Sequence, residues 1–243
     1  MSVLVTGAGG AIGAAIVRQL LEAGHEVLAQ DLRSEGLRAL GGEGARTTAG
    51  DLGDPAYRDR LAELCRDAGI AGVVAAHGVE GAGPLHALDG ERLRRVLHVN
   101  ATSVAELLRA LLAQLRECRG TFVAVASQAG LQAEPNLTAY CAAKFALVGW
   151  GRRLAPALLR ADGVRLHLLC PGCTRTPLLI DAFERFAAAD GVSLEEALAR
   201  RRAEIAIGRI ADVEETAAAA VYLLDGSAPA PVVLAPTGGE VLW

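Results

Sequence analysis

Three residues have the types and spacing to do chemistry: Ser127, Tyr140 and Lys144, within S-Q-A-G-L-Q-A-E-P-N-L-T-A-Y-C-A-A-K. Tyr140 and Lys144 stand four residues apart, which on a helix puts both side chains on one face. A phenol with its ordinary pKa of about 10 is a poor acid or base at neutral pH. An ammonium within roughly 4–6 Å favours the phenolate and lowers that pKa. A tuned phenol can exchange a proton with a hydroxyl or carbonyl oxygen. Such pairs also occur on ordinary helices with the lysine in solvent. Lys144, however, is the only lysine in the chain, and every other permanently cationic side chain is an arginine. Lysine is a compact point charge and arginine a broad planar fork. A chain that otherwise uses arginine keeps the compact cation here.

A second chemical signal lies at the start. V-L-V-T-G-A-G-G-A-I-G reads as a strand, a Gly-rich turn and a helix start; the helix runs to Glu22 and stops near Gly24. H-E-V-L-A-Q-D then reads as a second strand ending on Asp31. In such a βαβ unit a Gly-rich turn points to dinucleotide binding, because the backbone approaches a pyrophosphate closely at a helix N-terminus. A carboxylate after the second strand accepts hydrogen bonds from a ribose diol and repels a 2′-phosphate, so Asp31 favours NAD over NADP. Arg33, two residues on, softens that preference.

The remaining elements must bring these two signals together. Strands are expected at 45–50, 70–76, 121–127, 164–170 and 231–235, and helices at 54–68, 89–117 (interrupted around Asn100), 138–161 and 212–224. Residues 178–207 are helical and of mixed polarity. Strands alternating with helices give an α/β fold, a doubly wound parallel sheet of about seven strands with helices on both faces. Ligands bind such sheets at the carboxyl ends of the strands. Gly7, Asp31, Asp51, Gly78, Ser127 and Pro171 all fall there. Without a linker or repeat, residues 1–243 read as one Rossmann-fold domain, with 178–208 as a lid.

Composition excludes several classes. The chain has 243 residues, 52% of them hydrophobic but only 4% aromatic, so its core is aliphatic. Its net charge is −4, and Arg94–Arg95 and Arg200–Arg202 read as solvated helix faces, so nucleic acid is not an expected partner. The absence of an 18-residue apolar run or a basic leader, with five irregularly spaced cysteines, fits a cytoplasmic protein that does not engage a membrane. The histidines lack zinc spacing, and no metal is expected. Ser127 lacks the G-x-S-x-G turn of a hydrolase. The run Cys170-Pro-Gly-Cys173 has redox spacing but sits in a loop after a strand rather than at a helix start.

T-G-A-G-G-A-I-G, then Asn100, Ser127, Y-C-A-A-K and P-G-C-T-R-T-P-L, resemble the short-chain dehydrogenase/reductase family in order and spacing over essentially the whole chain. The resemblance implies NAD(H)-linked hydride transfer to or from a secondary alcohol or ketone. Tyr140 would be the general acid/base, Ser127 would bind the reacting oxygen, and Lys144 would lower the Tyr140 pKa and hold the nicotinamide ribose. Asn100 would keep a water in a relay from Lys144 through its backbone. Gly7, Ile12 and Gly13 would line the pyrophosphate, Asp51 and Leu52 would meet the adenine, and Thr176, after Pro171-Gly172, would meet the nicotinamide amide. The resemblance also implies a homotetramer or dimer, with helices 101–117 and 138–161 packing across subunits and Val241-Leu242-Trp243 near another interface.

The chain departs from the family in three places. Ala11 stands where the family has its middle glycine. Ala75-Ala76-His77-Gly78 replaces N-N-A-G, so the sheet-stabilising role of that motif must be met otherwise. Pro236-Thr237 stands where an acid is usual. The substrate pocket is expected to draw on Gln128, Leu131, Glu134, Asn136 and Cys173, with His77 and His86 as neighbours. A small, polyol or cyclic alcohol or ketone suits that mix. A non-catalytic dinucleotide-binding regulator and an NADP-linked ketoreductase remain the alternatives.

Overall fold

The apolar stretch Val3-Leu4-Val5 forms the heart of the central strand β1 (Ser2–Thr6), with all three side chains fully buried. The structure, a computed structural model, describes residues 1–83, 86, 88–226, 228 and 231–241. Six further strands join β1 in one parallel sheet: β2 (Glu26–Asp31), β3 (Arg46–Ala49), β4 (Ile70–Ala75), β5 (Thr121–Val125), β6 (Arg165–Leu169) and β7 (Val233–Leu234). Their order is β3-β2-β1-β4-β5-β6-β7. The chain therefore winds outward from β1 to β3, returns to β4 beside β1, and winds outward the other way. That reversal opens a crevice at the carboxyl ends of β1 and β4.

Nine helices are described: α1 (Ala11–Glu22), α2 (Arg38–Gly42), α3 (Pro55–Asp67), α4 (Gly90–Leu97), α5 (Ser103–Cys118), α6 (Thr138–Asp162), α7 (Pro177–Asp190), α8 (Leu194–Glu204) and α9 (Val213–Leu224). One face of the sheet is covered through Leu61, Leu107, Leu111 and Leu147 of α3, α5 and α6. The other is covered through Ile16, Leu20, Ala217 and Leu223 of α1 and α9. Covering both faces is why the inner strands read as unbroken apolar runs. The helical run Gly90–Cys118 is long and apolar enough to cross a membrane by length and composition. Here Leu107, Leu108, Leu111 and Leu115 of that run belong to the sheet's own core.

Local signals act as their chemistry dictates. Asp54 caps α3 by accepting from the Ala56 N–H, with Pro55 at the first turn. Gly191 adopts φ 68° and ends α7, so the expected 178–207 helix is two helices, α7 and α8. β7 spans only two residues of the expected 231–235. Leu242 and Trp243, expected at an interface, lie outside the described residues.

Candidate active site

Chain geometry first fixes the loop after β1. Gly7 has φ +65°, and a Cβ there would lie 2.6 Å from the His77 Cα; a Cβ on Gly13 would lie 2.2 Å from the Gly7 carbonyl oxygen. Neither position accommodates a side chain, so loop and helix backbones pack directly together. The helix forms despite the Ala11 departure, since α1 starts at Ala11 itself. Its N-cap is Gly10, which offers no side-chain cap. The first N–H groups of α1 therefore remain available to an anion, as a pyrophosphate requires. The Asp31 carboxylate accepts from the Gly9 N–H at 2.9 Å and the Arg33 N–H at 3.3 Å. This places an acid beside the loop, where an adenosine ribose would lie. The backbone cradle, open helix end and neighbouring acid together fit a dinucleotide.

A cavity of about 560 Å³ opens at the carboxyl edge of the sheet. It brings together Gly7, Ile12, Gly13, Gly78, Asn100 and Ser127. Gln128, Tyr140, Lys144, Pro171, Cys173 and Thr176 complete the expected set within it. Asp31, Asp51 and Leu52 lie outside its lining, at the ends of the neighbouring strands β2 and β3. Asp51 Oδ1 accepts from the Gly53 N–H at 2.7 Å, and Leu52 is buried. Glu134, Asn136 and His77 also line the cavity, whereas Leu131 is buried outside it and His86 is exposed.

Ser127 arrives on extended backbone (φ −175°) two residues beyond β5, with its hydroxyl toward the Tyr140 phenol in the shared cavity. Tyr140 and Lys144 are one turn apart in the first part of α6. The Lys144 Nζ lies 5.5 Å from the Tyr140 ring centroid and donates to the Val125 carbonyl at 3.0 Å. Burial pushes Tyr140 up to about 12, opposed by the Ser127 hydroxyl, and pushes Lys144 down to about 8. Burial is the largest cause of the phenol's shift, and Lys144 does not enter it.

Asn100 sits in a π turn (His98–Thr102) between α4 and α5, where the sequence indicates an interruption. Its buried side-chain amide donates to the Val79 and Val96 carbonyls, both at 3.0 Å, and accepts from the Val79 N–H. A wide turn of this kind loosens the helical ladder locally. It lets one side chain tie α4 to the loop after β4.

His77 supplies what the missing asparagines leave open. Its Nδ1 lies 2.6 Å from Thr6 Oγ1 at the end of β1, and its Nε2 lies 3.0 Å from Ser103 Oγ at the start of α5. Ser103 donates its own proton to the Val99 carbonyl, so its oxygen accepts from His77. That assigns the proton of the neutral ring to Nε2 and makes Nδ1 the acceptor for Thr6. Burial, with Lys144 and His98 nearby, pushes the ring down to about 3.

The substrate side of the cavity holds residues that the sequence did not single out. Arg201, expected on a solvated face, is only 15% exposed in its side chain. It reaches Glu134 at 3.4 Å, Glu204 at 3.0 Å, Glu240 at closer range, and the Cys173 Sγ at 3.1 Å. Phe183 and Phe186 of α7 stack edge to face, 5.5 Å between centroids, and line the same space. No local signal in the sequence separates Arg201 from Arg200 and Arg202. Cys170 and Cys173 are both free thiols, and burial raises both, Cys170 to about 11. This is the opposite of redox activation.

Comparison with known proteins matches this geometry. The family model for short chain dehydrogenase covers residues 1–185. A 2-(S)-hydroxypropyl-CoM dehydrogenase 3 of Xanthobacter autotrophicus is 32% identical over 93% of this chain and 90% of its own length. A 2,5-dichloro-2,5-cyclohexadiene-1,4-diol dehydrogenase of Sphingobium indicum is 32% identical with the same coverage, 93% and 90%. Among solved structures, an actinorhodin polyketide ketoreductase with NADPH superposes with a TM-score of 0.93 at 29% identity, covering 100% of this chain and 97% of that one. With the Gly-rich cradle, the Ser–Tyr–Lys cluster and the doubly wound sheet in place, the chain belongs to the short-chain dehydrogenase/reductase family of oxidoreductases, which use nicotinamide dinucleotides.

Proposed function

We propose that the chain is an NAD-dependent dehydrogenase/ketoreductase acting on an uncharged secondary alcohol or ketone, with Tyr140 as general acid/base. The observation that carries this reading is the convergence of Ser127 and Tyr140 on one point of a cavity that also opens on the Gly7–Gly13 cradle. The bound nicotinamide supplies the hydride chemistry. Gly7, Ile12 and Gly13 hold the pyrophosphate, Asp31 the ribose diol, Asp51 and Leu52 the adenine, and Lys144 and Thr176 the nicotinamide end. Ser127 and Tyr140 grip the reacting oxygen. The Tyr140 phenol carries the proton that a carbonyl oxygen receives in the reductive direction. Alcohol oxidation needs the phenolate and gains as pH rises.

The cavity supports an uncharged, bulky substrate, because Val79, Leu137, Leu179, Phe183 and Phe186 form much of its wall. Relatives whose names include cyclic diols and polyketides are consistent with that class. The protein's oligomer is proposed as a tetramer or dimer built on the outer faces of α5 and α6, where Phe145 is 43% exposed.

The test pairs binding with turnover. NADH is expected to bind at least tenfold more tightly than NADPH because Asp31 faces the ribose, by the rule that an acid there repels a 2′-phosphate. Cyclic secondary alcohols are expected to reduce NAD⁺. Tighter NADPH overturns the Asp31 assignment in favour of an NADP-linked reductase, with Arg33 as its phosphate partner. Tight NADH binding without turnover of any alcohol or ketone favours a regulator.

A further inference from the structure

Glu134 occupies an unusual position between the two reacting side chains. Its backbone N–H meets the Cys141 Sγ at 3.3 Å, and the Cys141 thiol points back to the Glu134 carbonyl at 3.8 Å. Cys141 directly follows Tyr140. The Glu134 carboxylate meets the Gln128 amide at 3.0 Å, and Gln128 directly follows Ser127. The loop is thus pinned to the neighbours of both Tyr140 and Ser127, and Glu134 lines the cavity those residues share.

Its carboxylate is held asymmetrically. Gln128 Nε2, Gln132 Nε2 at 3.1 Å and Arg201 at 3.4 Å all donate to Oε1. Among the described hydrogen bonds none reaches Oε2, and Oε2 is not among the buried atoms without a partner. A carboxylate anchored through one oxygen and accessible at the other is a preset acceptor for a ligand donor. The surrounding charge limits which donor. Arg201 is shared by Glu134, Glu204 and Glu240, so this corner carries more negative than positive charge. It repels an anionic end and welcomes a neutral hydroxyl.

We propose that Glu134 is a substrate-binding residue that accepts a hydrogen bond from a second hydroxyl, selecting diols and hydroxyketones over mono-alcohols and hydroxy acids. This rests on the reading that Ser127 and Tyr140 hold the reacting oxygen. The apolar wall of Phe183 and Phe186 then takes the carbon skeleton, and Glu134 reads the oxygen farther along it.

The experiment measures kcat/KM with NAD⁺ for cyclohexanol, the 1,2-, 1,3- and 1,4-cyclohexanediols and a hydroxycyclohexane carboxylate. The same set is run on E134Q and on E134D, which retracts the carboxylate by one methylene. At least one diol is expected to exceed cyclohexanol on the order of tenfold to a hundredfold, the worth of a hydrogen bond to a charged group. In both variants that ratio is expected to fall to about threefold or less, through a larger loss on the diol than on cyclohexanol. The hydroxy acid is expected to gain on the others in E134Q. A wild-type ratio near one for every diol overturns the proposal, as does a ratio that survives in E134Q and E134D, or an equal loss on both alcohols. Those outcomes leave the oxidoreductase reading standing, because cyclohexanol is still oxidised. No turnover of any alcohol with NAD⁺ or NADP⁺ overturns that reading and this proposal with it.

Discussion

The floor of the cavity and its lid are built on different physics. The floor, formed by β1, β4, β5 and the start of α6, is held by backbone fit and by neutral hydrogen bonds. A side chain at Gly7 or Gly13 would overlap backbone, and Asn100 and His77 tie strands to helices through amide, hydroxyl and imidazole. The lid, α7 and α8, is held by ionic contacts. Arg185 meets Glu80, and Arg201 meets Glu134, Glu204 and Glu240. A floor built on backbone fit and buried hydrogen bonds holds its side chains in place, as proton transfer demands. The Arg201 contacts are largely buried, but the half-exposed Arg185 pair with Glu80 is worth little and is easily exchanged, which suits the proposed role of α7 as a lid.

The sharpest way to break this comparison is at the floor. Tyr140→Phe is expected to lower kcat by on the order of 10²-fold or more, because it removes only the proton carrier. NADH binding, followed by fluorescence, should be retained. A variant with undiminished turnover would mean that the proton travels by another route.

His77 offers the next largest effect, on stability and on its pH dependence. His77→Ala leaves Thr6 and Ser103 without their partner in a buried site, at a cost of roughly 1–3 kcal/mol. The sign of the pH effect follows from the folded-state pKa of about 3, well below the ordinary value near 6.5. Above pH ~6.5 both folded and unfolded states hold a neutral ring, and His77 contributes no pH dependence. As pH falls from there toward 3, the unfolded state takes up a proton that the folded state refuses. Stability should therefore fall by about 1.4 kcal/mol per pH unit over that window. His167, pushed down to about 4 by burial, acts in the same direction, so the diagnostic quantity is the difference between proteins. Denaturant midpoints at pH 7.5 and 5.5 should converge for wild type and His77→Gln as pH falls. Parallel curves would show that the ring is not held neutral.

The same contrast explains what could be read from the chain beforehand. Gly7, Gly13, Asp31, Ser127, Tyr140 and Lys144 were legible because a turn between strand and helix, a strand end and spacing along one helix are local constraints that leave a pattern, while Asn100 was singled out through the family resemblance. The inner strands were legible for the same reason, since burial on both faces writes continuous apolar runs, whereas the edge strand β3 is polar and mostly exposed. Arg201 was misread because its partners lie 67 and 39 residues away, at Glu134 and Glu240, and nothing local distinguishes it from Arg200 or Arg202. The burial that raises the Tyr140 pKa was not legible for a related reason: it is a sum over the packed surroundings, whereas a charge four residues away is visible in sequence. His77 lay between these cases: its departure from N-N-A-G was visible, while Thr6 and Ser103 as its partners required the fold.

The smallest expected effect sharpens the comparison from the lid side. The Arg185 side chain is 48% exposed and meets Glu80 at 2.5 Å, while Glu80 also holds Arg92 at 3.3 Å and the Ala82 N–H at 2.8 Å. Removing Arg185 therefore leaves Glu80 paired, and a single exposed ion pair is worth ~0–1 kcal/mol. Arg185→Gln is expected to raise the substrate KM by no more than about fivefold, the equivalent of that energy. The thermal midpoint should be nearly unchanged, and the KM increase should shrink in high salt, which already screens the wild-type pair. A loss of tenfold or more, insensitive to salt, would mean that α7 is fixed as rigidly as the floor, and that the lid's charged contacts position the substrate rather than merely close over it.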